Sequence, residues 1–201
     1  VRIPFGVSDG WVEEFVVAKQ NWIEQKILQQ QSRESRVPVI EIGQKALYLG
    51  AWHTLDFKHA PRVSMHAGNG SITYLGPKKP TNNELSQCLQ KFFKRQAKLL
   101  LVPQTTEKAR ELKVVERLQE VVFRRTKSKW GHCTSAGRIQ YNWLIVGAPL
   151  AVIDYLICHE VSHIIQANHS QAFWRVVESL CPDYKELQQW LNDHASELSW
   201  C

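Results

Sequence analysis

Apolar positions recur along this chain with two different periods, and the switch between them organises it. Over residues 9–31, Trp11, Phe15, Ala18, Trp22 and Ile23 fall on one stripe at three- and four-residue steps, which predicts an amphipathic helix capped by Ser8 or Asp9. From residue 37 to 76 the pattern alternates instead. The segments 37–42, 45–57, 62–66 and 71–75 read as short strands bounded by Gly, Pro and Asn, with Gly68-Asn69-Gly70 as a hairpin turn. Helical spacing then returns. Thr81 or Asn82 caps a helix over 83–102 that Pro103 ends, and a further helix fits 104–119.

Two more strands are expected, 120–127 and 138–146, joined by a loop over 130–137. Three helices follow, at 149–165, 170–181 and 183–194, with Pro182 between the last two. Strands early and helices late make the fold class α+β. The 149–165 helix is apolar on more than one face (Val152, Ile153, Leu156, Ile157), so it is expected to be buried. Buried helices seldom carry ionisable groups, because an unpaired charge there is costly. This one carries Asp154 and, near its end, three more.

Those three lie in the run His159-Glu-Val-Ser-His163, an HExxH signature, and a further histidine, His169, follows six positions later. His159 and His163 are four apart and share a helix face, so both imidazoles reach one ion at roughly 2.0–2.1 Å. Glu160 sits about 100° around the helix, where it serves a water beside the metal as general base. On a continuous helix His169 would face about 240° away from His163. The helix must therefore stop between Ile164 and Asn168, and Asn168 is the expected left-handed turn residue. Metzincin proteases share this spacing but have glycine where Gln166 stands. Three imidazoles and one open position suit a catalytic Zn²⁺, with Ni²⁺ or Co²⁺ as substitutes. Glu178, on the next predicted helix, is a rival third ligand of the kind thermolysin-like enzymes use.

Composition narrows the setting. With 201 residues, 44% of them hydrophobic and eight tryptophans, one compact domain with a substantial core is expected. No apolar run is long enough to span a membrane. Five scattered cysteines without a CxxC pair suit a reducing, cytoplasmic setting with free thiols. The chain opens on Val1 and its one methionine is Met65, so a shortened N-terminus is expected. A net charge of +6 permits anionic partners without requiring them.

Beyond the HExxH run, the chain holds Lys127-Ser-Lys-Trp-Gly-His-Cys133, Asn142-Trp143, Ile153-Asp-Tyr, Asn168-His-Ser170, Phe173-Trp174 and Pro182-Asp-Tyr184. Together these resemble the YgjP-like family of zinc metallopeptidases, relatives of the SprT-like proteases. The resemblance is strong over residues 120–194. It is weaker at the front, in Arg2-Ile-Pro-Phe, Phe15-Val and Lys19-Gln-Asn-Trp-Ile. It implies a zincin-like core with a small, mostly antiparallel sheet packed on helices and HExxH on a buried helix. It further implies His159, His163 and His169 as ligands, Glu160 as base, and one more N-terminal hairpin ahead of Arg2, in line with the expected shortened N-terminus. His132 departs from the small residue usual there; an ordinary loop histidine and an auxiliary site residue both remain open.

The remaining candidates concern substrate and support. Arg125, Lys127 and Lys129 would share one face of a strand and, with Arg138 and Asn142, contact substrate. Asp154, Asn142 and Asp183 are candidate acceptors for the ligand imidazoles. Trp130-Gly131 and Asn142-Trp143 are read as architectural, Gly131 for a tight turn. A strand just before the active helix often pairs with an extended peptide in zincins, so 138–146 is the expected substrate strand. The leading reading is a peptidase acting on peptides or proteins. A nucleotide phosphohydrolase is the alternative suggested by the basic cluster, and a DNA-associated SprT-like protease the third.

Overall fold

A computed structural model describes residues 5–34 and 37–200. The chain divides into two compact units, residues 1–37 and 38–201. In the first, α1 (Asp9–Ala18) is capped by Ser8, whose hydroxyl accepts from the Trp11 N–H, and Trp11 stacks on Phe15 at 5.3 Å. The expected single helix is broken at Lys19, and α2 (Gln20–Glu34) follows.

The second unit opens with β1 (Lys45–Tyr48) and β2 (Ala51–His59), which the left-handed Leu49 and Gly50 split from one expected strand into a hairpin. Residues 37–42 form no strand. Next come β3 (Ser64–Gly68) and β4 (Ser71–Gly76), joined by the expected turn at Asn69-Gly70. The sheet order is β1-β2-β4-β3, with β2 and β4 parallel.

One helix, α3 (Asn82–Glu111), runs straight through Pro103 where two were expected. Proline inside a helix costs about 3 kcal/mol. Here the buried stripe of Leu85, Leu89, Phe93, Ala97, Leu101, Thr105 and Ala109 continues across it. Each large apolar side chain buried contributes about 1.5–3 kcal/mol, so packing outweighs the local penalty. The N-terminal cap is Thr81, in a capping box with Glu84.

A second sheet carries the site. It consists of β5 (Glu120–Arg124), β6 (Gly131–Cys133) and β7 (Arg138–Asn142) in the order β5-β7-β6, with β5 parallel and β6 antiparallel to β7. The strand β6 lies within the expected loop. The expected strand 138–146 stops at Asn142, where the Asn142 side chain accepts from the Leu144 N–H and starts a 3-10 turn, Trp143–Gly147. That turn is fully buried. Trp143 packs edge-on against Phe93 and Trp200, and Leu49 N–H and Gly50 N–H donate to the Val146 and Gly147 carbonyls at 2.8 and 2.9 Å. The chain then enters α4 (Leu150–Ser162), followed by α5 (Gln171–Leu180) and α6 (Tyr184–Asp193). The architecture is mixed helix and sheet, with two small sheets in place of one. No helix among the described residues is long and apolar enough to cross a membrane.

Gly137, at φ +82°, makes the tight turn between β6 and β7, and a Cβ there would strike the Arg117 carbonyl oxygen. Gly137→Ala is expected to destabilise the protein by about 3 kcal/mol, read from the urea unfolding midpoint.

Candidate metal centre

The helix α4 is buried nearly all round: Val152, Ile153, Leu156, Ile157, Cys158 and Val161 are at most 4% exposed. His159 and Glu160 therefore stand in an apolar setting, with the His159 Nδ1 and Glu160 Oε2 atoms buried and without hydrogen-bond partners among the described residues. The helix ends at Ser162, earlier than the sequence suggests. His163 caps it in a right-handed conformation, and its Nδ1 meets the Gln166 carbonyl at 3.0 Å. The returning chain, folded over its own histidine, thus performs the break. Asn168 is not left-handed; the non-glycine residues with positive φ among those described are Leu49, Asn69 and Lys113.

This turn brings His169 back. Its Nε2 faces the His159 Nε2 at 3.1 Å, and donor atoms of His159, His163 and His169 all lie within 4.8 Å of one another. Two nitrogens bound to a tetrahedral ion at about 2.05 Å stand about 3.3 Å apart, so the His159–His169 pair already stands near the spacing that Zn²⁺ coordination needs. Glu178 is exposed on α5 and does not belong to the group. Aromatic rings hold the imidazoles in place: Phe173 stacks on His163 at 4.4 Å, and Trp174 stacks on His169 and on Tyr184. Ser170 caps α5 and sets Phe173 and Trp174 on the facing side.

A cavity of about 400 Å³ opens over the histidines. Its walls are Lys129 to Cys133, the Tyr155 to Glu160 face of α4, and Gln188, Leu191 and Asn192 on α6. His132 thus stands at the cavity. Burial, then the nearby Glu160 carboxylate, pushes the Cys133 thiol up to about 11, so it stays protonated.

Other expected site residues are placed differently. The strand β5 ends at Arg124, so Arg125, Lys127 and Lys129 do not share a strand face, and of these three Lys129 lines the cavity. Arg138 pairs with Glu120 at 3.0 Å, across to the neighbouring strand. Asn142 is 4% exposed; its amide donates to the Thr126 carbonyl while its oxygen caps the 3-10 turn, so it is architectural. Asp154 faces Lys108 at 3.8 Å, and Asp183 starts α6 through its backbone. The imidazole acceptor that the sequence did not show is the Gln166 carbonyl, a backbone group that carries no residue signature. The expected substrate strand, β7, is paired on both sides, which leaves β6 as the edge beside the cavity.

A family model described as YgjP-like, metallopeptidase domain, matches residues 1–194. The chain belongs to the YgjP-like family. It is accordingly a metallopeptidase-type hydrolase that uses a divalent metal. Among curated proteins none matches the chain. Among solved structures, the metallopeptidase zymogen abylysin of Pyrococcus abyssi is similar at 23% identity, over 46% of this chain and 93% of its own, with a TM-score of 0.40.

Electrostatics of the metal-free site give a pH signature. Burial, then the neighbouring His163 and His169, lowers His159 from 6.5 to about 3, so its contribution to stability is present above 6.5 and lost as pH falls through 3. Burial raises Glu160 from 4.5 to about 8, so its contribution is present below 4.5 and lost as pH rises through 8. Metal-free Glu160→Gln should therefore match wild type in Tm near pH 4.5 and exceed it increasingly toward pH 8. A constant gap across that range would refute the assignment. His169→Ala should lower metal affinity at least about 100-fold by competition with a chelator, while Glu178→Ala leaves it unchanged.

Proposed function

We propose that this protein is a zinc peptidase in which His159, His163 and His169 hold one ion and Glu160 is the general base. The observation that carries the reading is the convergence of three imidazoles on one point beside a buried carboxylate with an unpartnered oxygen. Bound Zn²⁺ supplies Lewis acidity to a substrate carbonyl and acidifies a water. Glu160 accepts the proton of the attacking water and passes it to the leaving amine. Burial makes the Glu160 carboxylate a stronger base than an exposed one, and the charge of a bound cation would favour that deprotonated form.

Substrate positioning falls to β6. Its outer edge borders the cavity, and an extended peptide adds to such an edge through main-chain hydrogen bonds, with alternate side chains directed into the pocket. The scissile residues then lie between β6 and the Tyr155, Gln188 and Leu191 wall. A phosphate-binding cluster has less support, because Arg138 is already paired and Arg125 and Lys127 lie away from the cavity lining.

Incubation of the zinc-loaded full chain with a mixture of quenched fluorogenic peptides tests this reading. Cleavage is expected, and Glu160→Gln should reduce it at least about 100-fold with zinc retained. Release of phosphate or pyrophosphate from nucleoside triphosphates, with no peptide cleaved, would replace it with a phosphohydrolase.

A further inference from the structure

We propose that Gly131 positions Glu160: the missing side chain at the start of β6 is the berth that the carboxylate occupies, and it sets where the proton acceptor stands relative to the imidazoles. The inference rests on the role proposed above for Glu160. A Cβ built on Gly131 would lie 2.5 Å from Glu160 Cδ and 2.6 Å from Cγ, and closer still to Oε1. Ordinary contacts are 3.4–4 Å, so an alanine here and the present Glu160 rotamer are mutually exclusive.

The glycine is not there for its backbone. Positive φ among the described glycines occurs at Gly6, Gly43, Gly50, Gly70 and Gly137, and Gly131 is not among them. An alanine can adopt this backbone; what it cannot do is share the space. The sequence reading of Gly131 as a turn residue therefore gives way to one of volume, and Gly137 is the turn glycine.

Neither wall can retreat. Gly131 pairs with Tyr141 of β7, a fully buried residue whose hydroxyl meets Thr105 of α3 at 3.1 Å. The adjoining Trp130 carbonyl accepts from the Asn142 N–H at 2.7 Å. On the other side, Glu160 stands on α4 between Ile157 and Val161, both fully buried. With both backbones fixed, an added methyl group is accommodated by rotating the Glu160 side chain. No hydrogen bond to Oε2 opposes that rotation. The three imidazoles are held by Phe173, Trp174 and the Gln166 carbonyl and have no part in this contact. Metal retention and proton acceptance thus separate at this position.

The test is Gly131→Ala in the full chain. With zinc bound and the same peptide mixture, kcat is expected to fall about 100-fold, the size of effect that a carboxylate displaced by about 1 Å produces. KM and zinc stoichiometry should stay within about twofold, since the ligands and β6 edge are untouched. A kcat within about threefold of wild type, or a loss confined to KM, would overturn the proposal. A second readout needs no activity. The carboxyl ¹³C resonance of Glu160, assigned by its absence in Glu160→Gln, should move in metal-free Gly131→Ala; an unmoved resonance overturns the proposal. If wild type cleaves no peptide, the peptidase reading fails while this resonance still decides the Gly131 contact. If Gly131→Ala is too unstable to assay, the Gly131→Ala, Glu160→Ala double variant decides. The second alanine has no atom beyond Cβ and removes all three close contacts, so recovered folding supports the contact and continued unfolding removes it.

Discussion

The burial of α4 is the constraint on which the site depends. A helix whose Val152, Ile153, Leu156, Ile157 and Val161 are sealed in the core leaves His159 and Glu160 little water outside the cavity. His159 and Glu160 are consequently pushed toward neutrality from opposite directions, the imidazole losing its proton and the carboxyl holding its own. In the proposed site a divalent cation would reverse the balance for the carboxylate and would find the imidazoles already neutral.

Around that helix, supports divide by task. The Gln166 carbonyl and the Phe173 and Trp174 rings orient the imidazoles, and they come from the segment just after the motif. The strand β6 faces the carboxylate and borders the cavity where substrate would lie. Asn142, expected to touch substrate, instead ties the Thr126 loop to the turn that launches α4. It contributes through the placement of β6 and α4 relative to each other.

What could be read from the chain follows from how local each signal is. The HExxH helix, the Thr81 cap and the Asn69-Gly70 hairpin are set by residues within four positions of one another, and the structure has them. The continuity of α3 through Pro103 depends on a core stripe that only the folded chain supplies. At β6, three residues of strand inside an apparent loop exist because β7 offers an edge, a fact without local trace. Backbone groups were invisible too: neither the Gln166 carbonyl nor the space at Gly131 has a signature in side-chain chemistry. The basic residues Arg125, Lys127 and Lys129 share no strand face because β5 stops at Arg124, short of the expected end at 127.

The junction between the early hairpin and the start of the active helix carries a further meaning. Leu49 and Gly50 donate their amides to Val146 and Gly147, and Pro149 packs so closely on Gly50 that a Cβ there would come within 2.9 Å of it. The residues that precede the histidines are thereby closed by a hairpin about a hundred positions earlier in the chain. Residues 120–194 accordingly share one compact unit, 38–201, with that hairpin. The two hairpin amides thus clasp the turn that launches α4 from outside the strand and helix on either side of it.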